Sequence, residues 1–169
     1  MPSRFLYESK LAEMKWYLKY NKPDNIRSIS VFIFEHARKW LGAVHPLFAQ
    51  LNRIQASYYS DHIEYFQTAL KHANESLEMQ KKIFDGEAEP LWKDYFLLGK
   101  IYFLSKNYEE GMKLLLKARQ MVNTKTLTEF ETFSELNILL CKGYFGAQRY
   151  AEAFAAIRDL YATIKGNSD

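Results

Sequence analysis

Residues 98 to 118 read LGKIYFLSKNYEEGMKLLLKA, two apolar runs of helical period on either side of Ser105-Lys106-Asn107. The spacing predicts one helix from about Leu91 to Leu104, a tight turn over 105–107, and a second helix opening at Tyr108. Glu109 and Glu110 fall in the first turn of that second helix, where the helix dipole favours acidic side chains. Gly99 and Gly111 lie where two antiparallel helices would cross closely. Leu98, Tyr102, Tyr108, Leu115 and Ala118 keep helical spacing on the packing face. The stretch is expected to be a helical hairpin.

The pattern recurs at a fixed interval. Leu98, Gly99, Tyr102, Tyr108, Gly111 and Ala118 are followed, 42 positions on, by Leu140, Cys141, Tyr144, Tyr150, Ala153 and Leu160. Both aromatics and both inner small positions persist. The same step backwards gives Ala56, Ser57, Ser60, Phe66, Ala69 and Ser76, a degenerate copy in register. HANESLEM, ending at Met79, aligns with LLLKARQM, ending at Met121, which supports the register outside the motif.

Ahead of these copies, residues 4–20 form an amphipathic pattern with Phe5, Leu6, Leu11, Met14, Trp16, Tyr17 and Leu18, stopped by Asn21-Lys22-Pro23. A second helix is expected from Asn25 to Leu41. The pair would cap one end of the stack, as divergent terminal repeats do. The chain is thus expected to be all-α, with about eight helices in a single domain, 1–169. Within it lie a capping pair (4–44), a degenerate first repeat (45–86), a second repeat (87–126), a third (127–165) and a frayed polar tail (166–169).

Composition agrees. At 169 residues and 48% hydrophobic content the chain can bury a core, and 7 Gly with 4 Pro are too few for a turn-dense β fold. The 23 Lys and Arg against 20 Asp and Glu leave +3, with both signs interleaved. Lys10, Lys15, Lys19 and Lys22 are offset by Glu8 and Glu13, so no phosphate-tracking stripe forms and no nucleic-acid partner is expected. The opening residues MPSRFLYESKLAEMK lack the apolar core of a signal peptide, and no uncharged apolar run reaches the roughly 20 residues of a membrane span. One cysteine, Cys141, excludes an internal disulfide and suits a reducing compartment. The expectation is a soluble protein of the cytoplasm, with the nucleus also open, and no membrane partner.

The hairpin pattern resembles the tetratricopeptide repeat, with Leu98-Gly99, Tyr102, Tyr108, Gly111 and Ala118 on its signature positions and Tyr95 in the place of its usual Trp. That resemblance implies a right-handed superhelix of antiparallel helix pairs, an α-solenoid. The family's common repeat is about 34 residues. The longer period here resembles kinesin light chains and the C-terminal helical lobe of SET- and MYND-domain lysine methyltransferases. WLGAVHPL (40–47) and MQKKIFDGEAEPL (79–91) resemble the Gly-x-x-His-Pro connections of those families, the second with Glu89-Pro90 in place of His-Pro. Pro46 and Pro90 also serve equally well as punctuation in the first turn of a helix.

Residues that could carry chemistry are sparse. His36, His45, His62 and His72 include no His-Glu-x-x-His pair and no neighbour of Cys141, so no metal site or cofactor is expected. Asp61-His62-Ile63-Glu64 reads as a helix start, Asp61 capping and Glu64 closing a capping box, and Thr128 with Glu131 reads likewise. Cys141 occupies a small helix-crossing position and is expected to be a buried, inert thiol. No Gly-rich phosphate loop or Gly-x-Ser-x-Gly elbow occurs, and a non-enzyme is expected.

The resemblance implies a site instead. In the family, the first helix of each pair lines a concave groove, and transferring that phase selects Ile54, Tyr58 and Asp61, then Phe96, Lys100 and Phe103, then Ile138, Lys142 and Phe145. Aromatics with two lysines in phase suit a protein or peptide partner with apolar anchors and an acidic group. Ile54 and Tyr58 stand where the family's chaperone-tail clamp needs Lys and Asn, so a Glu-Glu-Val-Asp tail is not implied. The same aromatics would equally pack a neighbouring helix. The expected function is a scaffold or adaptor acting as a homodimer or as a subunit of a larger complex. The alternatives are a methyltransferase's helical lobe apart from its catalytic domain and a peptide or small-molecule receptor.

Overall fold

The hairpin at 98–118 forms as the spacing requires. In the computed structural model, which describes residues 4–20, 22–86, 89–122 and 127–166, α5 spans Trp92–Leu104 and α6 spans Tyr108–Met121. Tyr95, Leu98, Ile101, Leu115 and Ala118 are buried. Six further helices flank the pair: α1 (Arg4–Lys19), α2 (Pro23–Leu41), α3 (Pro46–Ser60), α4 (Phe66–Phe84), α7 (Leu127–Gly146) and α8 (Tyr150–Gly166). No strand occurs among the described residues, and the helices pack pairwise against their sequence neighbours, an all-α helical-repeat arrangement.

The period is written into the backbone as well as the sequence. Lys106 and Gln148, one period apart, both take left-handed φ, 66° and 59°. The N–H that follows each donates back into the preceding helix, Asn107 to Tyr102 O at 2.9 Å and Arg149 to Tyr144 O at 2.8 Å. Two hairpins therefore turn in the same way, although neither turn residue is glycine.

Where length alone predicts one domain, the contacts gather into two compact units, Met1–Ala88 and Glu89–Asp169. The first unit holds the α1–α2 pair and the α3–α4 pair. Phe48, Leu51 and Ile54 of α3 bury among Tyr7, Leu11 and Met14 of α1 and Ile26, Ile29 and Ile33 of α2. Small residues let α4 close on α3: Ala49, Ala56, Ala69 and Ser76 are wholly buried, and Ser76 Oγ donates to Ala49 O at 2.9 Å. The connection at 40–47 has a local physical cause. Gly42 supplies φ 75°, His45 Nδ1 accepts from the Leu47 N–H at 3.1 Å, and Pro46 occupies the first helical turn.

In the second unit α7 packs on both α5 and α6, and α8 pairs with α7. Asp61 behaves otherwise than its motif suggests. It terminates α3, its N–H donating to the Tyr58 and Tyr59 carbonyls, and a 3₁₀ turn, Ile63–Tyr65, precedes α4, which opens with no side-chain cap. The side chain of Thr128, residues 167–169 of the tail and the connection 123–126 lie outside the described residues.

Candidate protein-interaction surface

The nine groove positions part into three kinds. Ile54 belongs to the core of the first unit: α1 and α2 lie across α3, so the face a regular stack would leave open is covered. Tyr58 is half-buried and packs edge-on against Tyr59, with ring centroids 5.2 Å apart, while Asp61 is exposed at the end of α3. The first copy presents no continuous strip.

In the second copy the residues are used internally. Lys100 Nζ sits 2.8 Å from Glu135 Oε1, an ion pair that ties α5 to α7. Phe103 packs edge-on against Tyr108 at 5.0 Å and also beds α7. A Cβ placed on Gly143 would lie 3.3 Å from Phe103 Cε2 and 2.7 Å from Met112 Sδ, so α7 rests this side-chain-free position on these two residues. Phe96 is half-buried.

The third copy faces outward. Ile138 is exposed, Phe145 is 65% exposed, and Lys142 is exposed with no ionic partner among the described residues. Phe145 meets Tyr150 edge-on at 5.5 Å, which joins the outer face of α7 to that of α8. There Tyr150, Phe154, Ile157, Tyr161 and Ile164 form an apolar stripe at alternating four- and three-residue steps, all exposed. Its signal was present in the sequence as a second-helix heptad, but a motif centred on first-helix positions does not weigh it.

The rest of the surface offers less. In the first unit a cleft of about 440 Å³ is lined by residues that include Phe34, Phe48 and Met79, together with Arg38, Lys82, Glu75 and Glu78. Near the cleft-lining Asn52 and Glu75, His72 Nδ1 lies 3.1 Å from Asn52 Oδ1 and 3.7 Å from Glu75, and its ring stacks on Tyr59 at 5.8 Å. Burial pulls the His72 pKa below the usual histidine value. The Glu75 carboxylate partly offsets this, and Lys71 adds to the lowering. Such a histidine is a neutral packing group with one side-chain hydrogen-bond partner. No group of three or more His, Cys, Asp or Glu residues able to hold a metal ion occurs among the described residues. Cys141 is half-buried rather than fully enclosed, because Gly143 is the position in α7 that makes the close approach. No helix among the described residues is long and apolar enough to cross a membrane.

Comparison with family models, with curated proteins and with solved structures gives no match.

Proposed function

We propose that this chain is a protein-interaction scaffold with no catalytic centre of its own, whose partner binds the outward face of the last hairpin. One observation carries the reading: Ile138 and Phe145 are exposed on the same side of α7 as Lys142, which has no ionic partner among the described residues. Large exposed apolar side chains around a single cation are what an apolar segment bearing an acidic group would complement. The tetratricopeptide-like sequence pattern supports it, since stacked helix pairs commonly serve as extended binding surfaces. The lone free cysteine suits the cytoplasm or nucleus. Affinity capture on the full chain tests the reading, with the double substitution Lys142→Glu and Phe145→Ala as the comparison. Loss of a partner that the unaltered chain retains is the expected result; equal recovery on both baits would defeat it.

A second reading, a small-molecule receptor, rests on the cleft in the first unit, whose volume falls in the range of ligand pockets. A ligand at about 100 times its dissociation constant should stabilise the fold by roughly 2.7 kcal/mol, visible as a thermal shift. Absence of any shift across a library that spans anionic, cationic and apolar compounds would remove this reading.

A further inference from the structure

The stripe on α8 can be read against a template inside the same unit. Positions 103 and 112 form the bed on which Gly143 of α7 rests, and there Met112 is only 8% exposed. One period later the same positions are Phe145 and Phe154, 65% and 73% exposed. Leu115, fully buried, becomes Ile157, half exposed. The charge follows the same rule: Lys100 meets Glu135 of the next hairpin at 2.8 Å, and its counterpart one period on is Lys142, which has no ionic partner among the described residues. At positions 100, 103 and 112 the face repeats the α5–α6 surface that α7 covers, without a covering helix among the described residues.

We infer that the α7–α8 face is a docking site for an amphipathic helix of a partner protein that carries an acidic residue and, eight positions later, a small residue on its apolar side. The spacing is that of Glu135 and Gly143, which occupy the bed one period earlier. The acid would meet Lys142, and the small residue would seat between Phe145 and Phe154. Arg158, 80% exposed on α8, and Lys165, exposed in its last turn, add positive charge on the same helix. The neighbouring carboxylate, Asp159, is engaged by Arg119 and also pairs with Arg158 at 3.9 Å, so the charge of Arg158 is partly offset.

A second copy of the chain is a poor occupant. Among the described helices an acid followed eight positions later by Gly, Ala or Ser occurs at Glu110 with Ala118 and at Glu135 with Gly143, and both small residues are buried. Two α8 stripes packed antiparallel about Ile157 would also bring Arg158 against its own copy.

The inference rests on the scaffold reading and specifies its partner. The probe is a fluorescein-labelled peptide of residues 127–146, LTEFETFSELNILLCKGYFG, titrated against the full chain by fluorescence anisotropy. Saturable binding is expected, weakened about tenfold or more by Phe154→Glu or Lys142→Glu in the chain. The Lys142→Glu chain should regain binding to a peptide carrying Glu135→Lys. Position 154 is exposed, so circular dichroism of Phe154→Glu should match the unaltered chain. Failure of the peptide to bind, or binding indifferent to Phe154→Glu, would overturn the docking site. Self-association of the chain that Phe154→Glu abolishes would replace the partner helix with a second copy. A photo-crosslinking residue introduced in the cell at position 161 or at position 96 separates the two claims. Capture at 96 alone removes the end-face site and, with it, the placement of the partner on the last hairpin, leaving only the wider claim that the chain is a scaffold. Peptide binding without capture at either position removes the scaffold reading altogether.

Discussion

Gly99 and Gly111 face each other so closely that a Cβ on either would come to 3.0 Å from the other's carbonyl oxygen. Leu115 Cγ, on a fully enclosed side chain, would lie 2.8 Å from a Cβ on Gly99, and the carbonyls belong to the backbone of two helices and cannot move aside. Gly99→Ala or Gly111→Ala must therefore push α5 and α6 apart, at a cost of about 1–3 kcal/mol. Gly146 has open space around it, and Gly146→Ala should stay within about 0.5 kcal/mol of the unaltered chain. Urea midpoints of the three variants check this, and equal midpoints would contradict the close crossing.

Register-equivalent positions make a second test. Leu115 is fully enclosed, so Leu115→Ala removes its packing and leaves a cavity, with an expected loss of about 2–5 kcal/mol. Ile157 holds the same phase on α8 but is half exposed, and Ile157→Ala should cost well under about 1 kcal/mol. Chemical denaturation of both variants reads the contrast directly.

The contrast also shows what sequence could reveal. The helix limits around 105–107, the close glycine crossing and the pairing of helices all follow from spacing and residue size, which are local properties, and α5 and α6 lie where the pattern puts them. Which side of a helix stays open is not local. Ile54 and Ile138, two periods apart, hold the same phase, yet Ile54 is sealed by α1 and α2 while Ile138 faces solvent. Phe103, read as a groove residue, instead cushions Gly143, because α7 comes down on it. Asp61 and Glu64 match a capping box in letters, but Asp61 ends α3 and Glu64 lies within the 3₁₀ turn that precedes α4. Periodicity identifies apolar faces; only the arrangement of neighbours decides which are covered.

His45 caps α3 by accepting the Leu47 N–H at 3.1 Å. His45→Ala leaves that donor without its cap and should lower stability by about 0.5–2 kcal/mol. His45→Asn supplies another side-chain acceptor and should recover most of the loss. Thermal melts of the pair at one pH provide the comparison; identical behaviour of Ala and Asn would rule out a capping role.

His72 should make stability depend on pH. Burial depresses its folded-state pKa, so below about 6.5 the unfolded chain binds the proton more readily than the folded one. Its contribution is fully present above that pH and declines as pH falls toward the folded value. Asn52, Glu75, Lys71 and the Tyr59 ring surround it, and the carboxylate moderates the decline without reversing it. The difference between the urea midpoint curves of the unaltered chain and His72→Gln, followed from pH 8 to pH 5 (on the order of the histidine range), isolates this group from the other three histidines. Parallel curves would contradict the burial.

The matched turns at Lys106 and Gln148 bear on how the second unit folds. Each joins its two helices over a few residues, so each hairpin can close with little loss of chain entropy before any contact between hairpins exists. Two equivalent starting points of low contact order favour rapid folding that begins at either hairpin and spreads to the other. A substitution that slows one route would then leave a second open, and the refolding rate should be less sensitive to either turn alone than to both together.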